Sequence, residues 1–257
     1  MTLSPILKVL STFRKQKVKS LLIGGQACIV YGAAEFSRDS DFVVLASAEN
    51  LRALNGALKL LKAAPVYFPE LSLACLLKGH AVHFRCGAPG VRDLRVDIMA
   101  KLKGCDSFPK LWSRRKRVKV SGIGAIDIIA LEDLVQSKKT RRDKDWLMLG
   151  RLVENDVFIH SGAGPASKIR WWLMESRAPE TLARLCADYP EQACKVIARR
   201  PLLREAGKNN LKKLSALLKK EEAAERAKDS AYWSPLKKEL ERLRLSRERR
   251  PSDEHSP

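Results

Sequence analysis

The sequence predicts an α/β (α+β) domain, with a small mixed sheet flanked by helices, followed by an all-helical basic C-terminal region. Three observations predict it. Short apolar runs of strand length alternate with segments of helical period over residues 1–155. Past that point the strand signals stop while the helical spacing continues. Positive charge then gathers at the end: Lys195 to Arg250 holds eighteen Lys/Arg against eight Asp/Glu, half of the formal net charge of +20. The expected division is a first domain over 1–155, a helical basic region over 156–250, and a polar tail, 251–257, expected to be disordered.

Residues 4–16 place Ile6, Leu7, Val9, Leu10 and Phe13 at helical spacing. Leu21 to Ile23 reads as a buried strand, Gln26 to Tyr31 as a short helix and Asp41 to Leu45 as the next strand. Leucines at 51, 54, 58 and 61 make Ala48 to Leu61 an amphipathic helix. Pro65 and Pro69 break the chain before a short helix over Leu71 to Leu77. Ala81 to Arg85 and Leu94 to Met99 read as paired strands joined by a turn at Gly87 to Gly90. Val118 to Val120 is a further strand, and Ile126 to Lys138 with Trp146 to Leu152 form a helical closing unit. Four more helices are expected over Arg170–Glu175, Glu180–Ala187, Glu191–Ala198 and Asn209–Lys220.

The chemistry concentrates in Leu21-Leu22-Ile23-Gly24-Gly25 and Ser37-Arg38-Asp39-Ser40-Asp41. Residues two apart on a strand share a face, so Asp39 and Asp41 aim both carboxylates at one place. Like charges held that close are tolerable when a divalent cation sits between them. A glycine turn before a helix offers free backbone N–H groups to phosphate. Metal and phosphate together point to phosphoryl or nucleotidyl transfer.

These residues resemble the opening motif of the nucleotidyltransferase superfamily, of polymerase β-like fold, in its minimal nucleotidyltransferase and AbiEii toxin–antitoxin branch. Gly24-Gly25 matches the turn, Ser37-Arg38 the step and Asp39-Ser40-Asp41 the acidic pair. Leu94-Arg95-Val96-Asp97-Ile98-Met99 supplies the third carboxylate, and Leu131 to Lys138, with Thr140, Arg142, Lys144 and Asp145, matches a closing helix pair. The match covers residues 18–152. The second glycine stands where many members carry serine, and Ser37 where threonine is usual.

The resemblance implies Mg²⁺-dependent transfer of NMP from an NTP to an RNA (tRNA-like) or protein hydroxyl. Asp39, Asp41 and Asp97 would be the catalytic metal ligands, for two ions. Gly24, Gly25, Ser37, Arg38, Lys138, Arg142 and Lys144 would bind the nucleotide, with Asp145 orienting Lys138 or Arg142. A partner toxin or antitoxin protein is the further implication. The alternative is an inactive module of this fold that binds RNA or a partner protein.

Each residue has a plainer reading. Asp39 and Asp41 also fit a solvated strand edge, Asp97 a satisfied buried carboxylate, and Gly24-Gly25 an ordinary turn. Arg38 also fits an ion pair with Glu35, and Lys138, Arg142 and Lys144 a solvated basic face. His80 and His83, three apart on one expected strand, face opposite sides and read as structural. Trp171-Trp172 reads as core packing, and Arg114-Arg115-Lys116-Arg117 as a candidate RNA contact. The charge excess favours a polyanion partner and argues against a cationic small-molecule acceptor. Six cysteines without Cys-x-x-Cys spacing suit a reducing compartment. No apolar run reaches membrane-spanning length, and the expected location is the cytoplasm.

Overall fold

A computed structural model describes residues 5–248 of the chain; the tail at 251–257 lies outside the described residues. The chain opens with α1 (Pro5–Lys15), β1 (Ser20–Ile23), α2 (Gly24–Val30), β2 (Asp39–Val44) and α3 (Ala48–Leu60). Next come β3 (Ala64–Pro65), α4 (Leu73–Lys78), β4 (Val82–Arg85) and β5 (Arg95–Met99). A short α5 (Phe108–Ser113) precedes the hairpin of β6 (Lys116–Val120) and β7 (Gly124–Ile128). The rest is helical: α6 (Leu131–Ser137), α7 (Asp143–Ile159), α8 (Ala166–Glu175), α9 (Pro179–Asp188), α10 (Pro190–Ile197), α11 (Leu203–Gly207) and α12 (Leu211–Glu248).

Seven strands form one mixed sheet in the order β3-β4-β5-β2-β1-β7-β6. β2 runs parallel to β5, and β1 to β7; the other neighbours are antiparallel. The mixed α/β class is therefore as the sequence predicts, and among the described residues no strand follows Ile128.

The described residues fall into two compact units. One runs to Ala27, resumes over Phe36–Leu134 and takes in Ala231 onward; the other joins Cys28–Glu35 to Val135–Ser230.

In the sheet unit, alternation along β2 turns Ser40 and Phe42 to one face and Asp39 and Asp41 to the other. Phe42 is fully buried, with its ring centroid 4.8 Å from that of Phe13 on α1. Val9, Leu54, Ala57 and Leu61 are buried as well, the Val, Leu and Phe side chains each contributing about 1.5–3 kcal/mol by leaving water. Asn50 fixes the turn after β2. Its carboxamide oxygen accepts from Lys19 N–H at 2.7 Å, and its NH₂ donates to the Lys19 and Leu45 carbonyls. Ser47 caps α3 by accepting the Asn50 N–H.

One expectation needs correction here. Ile126 to Lys138 is not one helix: β7 occupies Gly124–Ile128, and α6 starts only at Leu131. Ile126 and Ile128 alternate inward, as β-branched residues on a half-buried strand do. Gly122 and Gly124, both at positive φ, make the hairpin turn. Ile128 pairs with Leu22, and the Ile129 N–H donates to the Leu22 carbonyl.

The helical unit has its own core, with Leu149, Leu152, Val153, Trp172, Leu173, Leu182 and Leu185 buried. The Trp172 indole N–H donates to Asp156 at 2.7 Å. Trp172 is thus a packing residue, as its sequence suggests. Arg200, buried, donates to the Leu173 and Ser176 carbonyls and to Glu221 at 2.7 Å. α12 continues far beyond the expected stop at Lys220, with Pro235 inside it.

Candidate active site

β1 ends at Ile23, which lies opposite Asp41 on antiparallel β2. The chain then turns at Gly24, at φ +66°, and enters α2 beside the acidic strand. A Cβ on Gly24 would stand 2.6 Å from Asp41 Cγ; one on Gly25 would stand 2.8 Å from Ser37 Cβ. The two glycines are therefore required for close approach: the Asp41 side chain lies against the first and Ser37 against the second. Ser37 is pinned in turn. Its hydroxyl donates to the Asp39 carbonyl at 3.1 Å, and its carbonyl accepts from Gln26 Nε2 at 2.9 Å. Arg38 is exposed.

This geometry sets a stability prediction. Gly24→Ala should destabilise the protein by about 2–4 kcal/mol, combining a strained left-handed backbone with an overlap. Placing it in an Asp41→Ala background should recover only part of that loss, because the overlap goes and the backbone strain stays. Urea unfolding of the single and double variants checks it.

The parallel pairing of β2 with β5 puts Asp97 beside Asp41 and Arg95 beside Asp39. Neighbours in register share a face, so the three carboxylates and Arg95 lie on one side of the sheet, with strands roughly 4.8 Å apart. Asp39 and Asp41 are half-buried. Asp97 is deeper, its side chain 8% exposed, and it is gripped. Arg95 Nε donates to Oδ1 and Nη2 to Oδ2, both at 3.0 Å, in the two-pronged geometry of a strong guanidinium–carboxylate pair. His83 Nδ1 stands 2.8 Å from Oδ1.

His83 is placed differently from expectation. His80 precedes β4 and is buried beside Glu239, whereas His83 lies on β4 directly opposite Asp97. Reading both as structural residues on opposite faces of one strand missed that pairing. Arg95 and His83 are the neighbours of the acidic cluster that sequence reasoning overlooked. For Arg95 the signal was present, since it stands two residues before Asp97 and so shares its face.

Asp39 and Asp41 suit a hard divalent cation: acceptor-only oxygens, on one face, with solvent access. Asp97 does not extend that set as it stands, because both its oxygens are engaged. Among the described residues no three His, Cys, Asp or Glu side chains are grouped to hold a metal.

Lys138, Arg142 and Lys144 belong to the other unit. Lys138 is buried, and its ammonium donates to Asp145 Oδ1 at 3.0 Å. The Thr140 hydroxyl and Arg142 Nε each donate to Asp145 Oδ2 at 2.7 Å. Asp145 thus orients Lys138 and Arg142, while Arg142 and Lys144 reach solvent. Burial pushes the Asp145 carboxyl up, but Lys138, Thr140 and Arg142 more than offset it, and its pKa falls below the ordinary 3.8. A depressed carboxylate stabilises the fold above its unfolded pKa, and that contribution disappears as pH drops through the folded value. Asp145→Asn should therefore cost about 3–5 kcal/mol at neutral pH by stranding Lys138. The gap to wild type should narrow as pH falls below the ordinary 3.8, where the unfolded chain takes up the proton first, toward the lower native value. Unfolding curves across pH measure it.

The Arg114–Arg117 cluster is largely committed. Arg114 holds Asp133 with two bonds and also meets Asp106, while Arg115 and Arg117 share Asp127. An RNA contact there would compete with these pairs.

The chain matches no protein-family model and no curated protein.

Proposed function

We propose that the chain is a metal-dependent nucleotidyltransferase of the polymerase β-like superfamily, in its minimal or AbiEii-like branch. It would move NMP from an NTP to a hydroxyl on RNA or protein. The observation that carries this reading is the register of Asp41 with Asp97, with Asp39 on the same face and Gly24 cleared for the Asp41 side chain. Asp39 and Asp41 would hold Mg²⁺. When bound, the ion offsets the charge of the paired carboxylates and of the triphosphate. The chain's own residues do the rest by placement. Gly24 and Gly25 let Asp41 and Ser37 close over the turn, and Gln26 fixes the Ser37 carbonyl. Positioning of this kind supplies most of the rate in phosphoryl-type transfer, where little side-chain acid–base work is required.

The net charge of +20 favours RNA as the acceptor, with tRNA the probe of first choice. No described helix is long and apolar enough to cross a membrane. The test is incubation of the full chain with each α-³²P-labelled NTP, Mg²⁺ and either total RNA or cell lysate. Label is expected on RNA. Label confined to a protein would move the acceptor to a partner toxin or antitoxin, and no label with any NTP would favour the inactive binding module.

A further inference from the structure

We infer that the acidic face takes one divalent cation, on Asp39 and Asp41, and that the Arg95 guanidinium fills the place of a second. This deepens the reading proposed above and rests on it, since it concerns the ion count of the same site. The resemblance implies two ions, with Asp97 helping to hold the second. The geometry around Asp97 provides for something else.

Three features support the substitution. The first is register: Arg95 lies opposite Asp39, and Asp97 opposite Asp41, across the same pair of strands. The guanidinium therefore starts from the same face as the three carboxylates, where it holds Asp97 and lies 3.2 Å from His83 Nδ1. The second is engagement. Arg95 takes one bond to each Asp97 oxygen at 3.0 Å, and His83 Nδ1 adds a further contact to Oδ1 at 2.8 Å. A carboxylate in a two-pronged grip has its best lone pairs directed at the guanidinium, not at a metal.

The third is charge. Three carboxylates carry −3 and Arg95 carries +1, leaving −2, which a single divalent cation cancels. Without nucleotide, a second such ion would turn the cluster net positive beside a guanidinium that cannot give up its proton. The built-in cation is fixed, whereas a metal ion exchanges with solvent. Asp97 then has a clear job as the anchor of Arg95, and His83 braces that anchor from β4.

Mn²⁺ titration of the full-length protein tests this, with free Mn²⁺ counted by electron paramagnetic resonance and heats measured in parallel. Mn²⁺ takes the same oxygen ligands as Mg²⁺. Wild type should bind one Mn²⁺ per chain, and Asp41→Asn should weaken it by about tenfold or more. Arg95→Gln should gain a second Mn²⁺, because Asp97 is released. Asp97→Asn should still bind one ion, more weakly than wild type because a carboxylate is removed and Arg95 is released, whereas a two-ion site would drop from two ions to one. That variant keeps the test decisive if Arg95→Gln fails to fold. Two ions on wild type would overturn the inference and leave the metal-dependent reading standing. No ion on wild type would overturn both.

Discussion

Asp41→Asn should abolish NTP-dependent labelling while the protein stays folded. The expected loss is on the order of 10³-fold or more, about 4 kcal/mol of barrier. Asp41 should contribute most because it is the central carboxylate of the cluster, next to Asp97 in register and two residues from Asp39. It also lies over Gly24, where no other side chain fits. Asparagine has nearly the same shape, so it keeps that packing and removes only the charge. With one of two facing like charges gone, the melting temperature should hold or rise.

Ser40→Ala is the control on the same strand. Ser40 points to the opposite face, and its hydroxyl is buried with no hydrogen-bond partner among the described residues. Removing it should leave labelling unchanged and stability equal or slightly higher. Wild-type labelling by Asp41→Asn would refute the catalytic assignment. Equal silence from wild type and variant would instead point to a binding module.

The acidic face was legible in the sequence because period-2 geometry is local. Asp39 and Asp41 share a face whatever their partner strand, and Asp97 within Val96-Asp97-Ile98 marks a carboxylate held inside a sheet. What the pattern could not carry was pairing. His83 meets Asp97 only because the turn between β4 and β5 sets their register, through bonds between Cys86 and Leu94 and between Asp93 and Cys86. β7 was misread for a different reason: Ile126, Ile128 and Ile129 form a short apolar run, and such runs fit strand or helix until a partner decides. Leu22 is that partner.

The far half of α12 illustrates a third case. Its sequence is polar and contains Pro235, which argues locally against a helix. Lys78 and His80 both reach Glu239 on it, contacts about 160 residues apart in sequence that no local period records. The near half is held similarly within its own unit, by Arg177 and Arg200 on Glu221 and by the Arg141 N–H on Asp229.

That placement sharpens the second large expected effect, the salt dependence of RNA binding. Several acidic groups of α12 are spent on internal partners: Glu221, Glu222, Glu225, Asp229 and Glu239 all pair with neighbours. Lys212, Lys219, Lys220, Lys237 and Lys238 are exposed, and none of them makes an ion pair among the described residues. Because Glu221, Asp229 and Glu239 meet groups outside the helix, α12 presents more positive charge to solvent than its composition suggests. Deleting the region would not test this, because Leu203, Ala206 and Leu214 are buried and Arg200 anchors Glu221. Changing the five exposed lysines to glutamine removes charge and leaves the packing alone. Each lysine that neutralises a phosphate releases counterions, worth about 0.7 in the log–log slope of affinity against salt on single strands. The five-fold variant should therefore bind tRNA more weakly, with a slope shallower by up to about 3.5 between about 50 and 200 mM salt. Mn²⁺ binding should not change, since none of the five belongs to the acidic cluster. Fluorescence anisotropy with labelled tRNA reads both affinity and slope. A slope equal to that of wild type would mean these lysines are only a solvated face, and would shift the expected acceptor from RNA to protein.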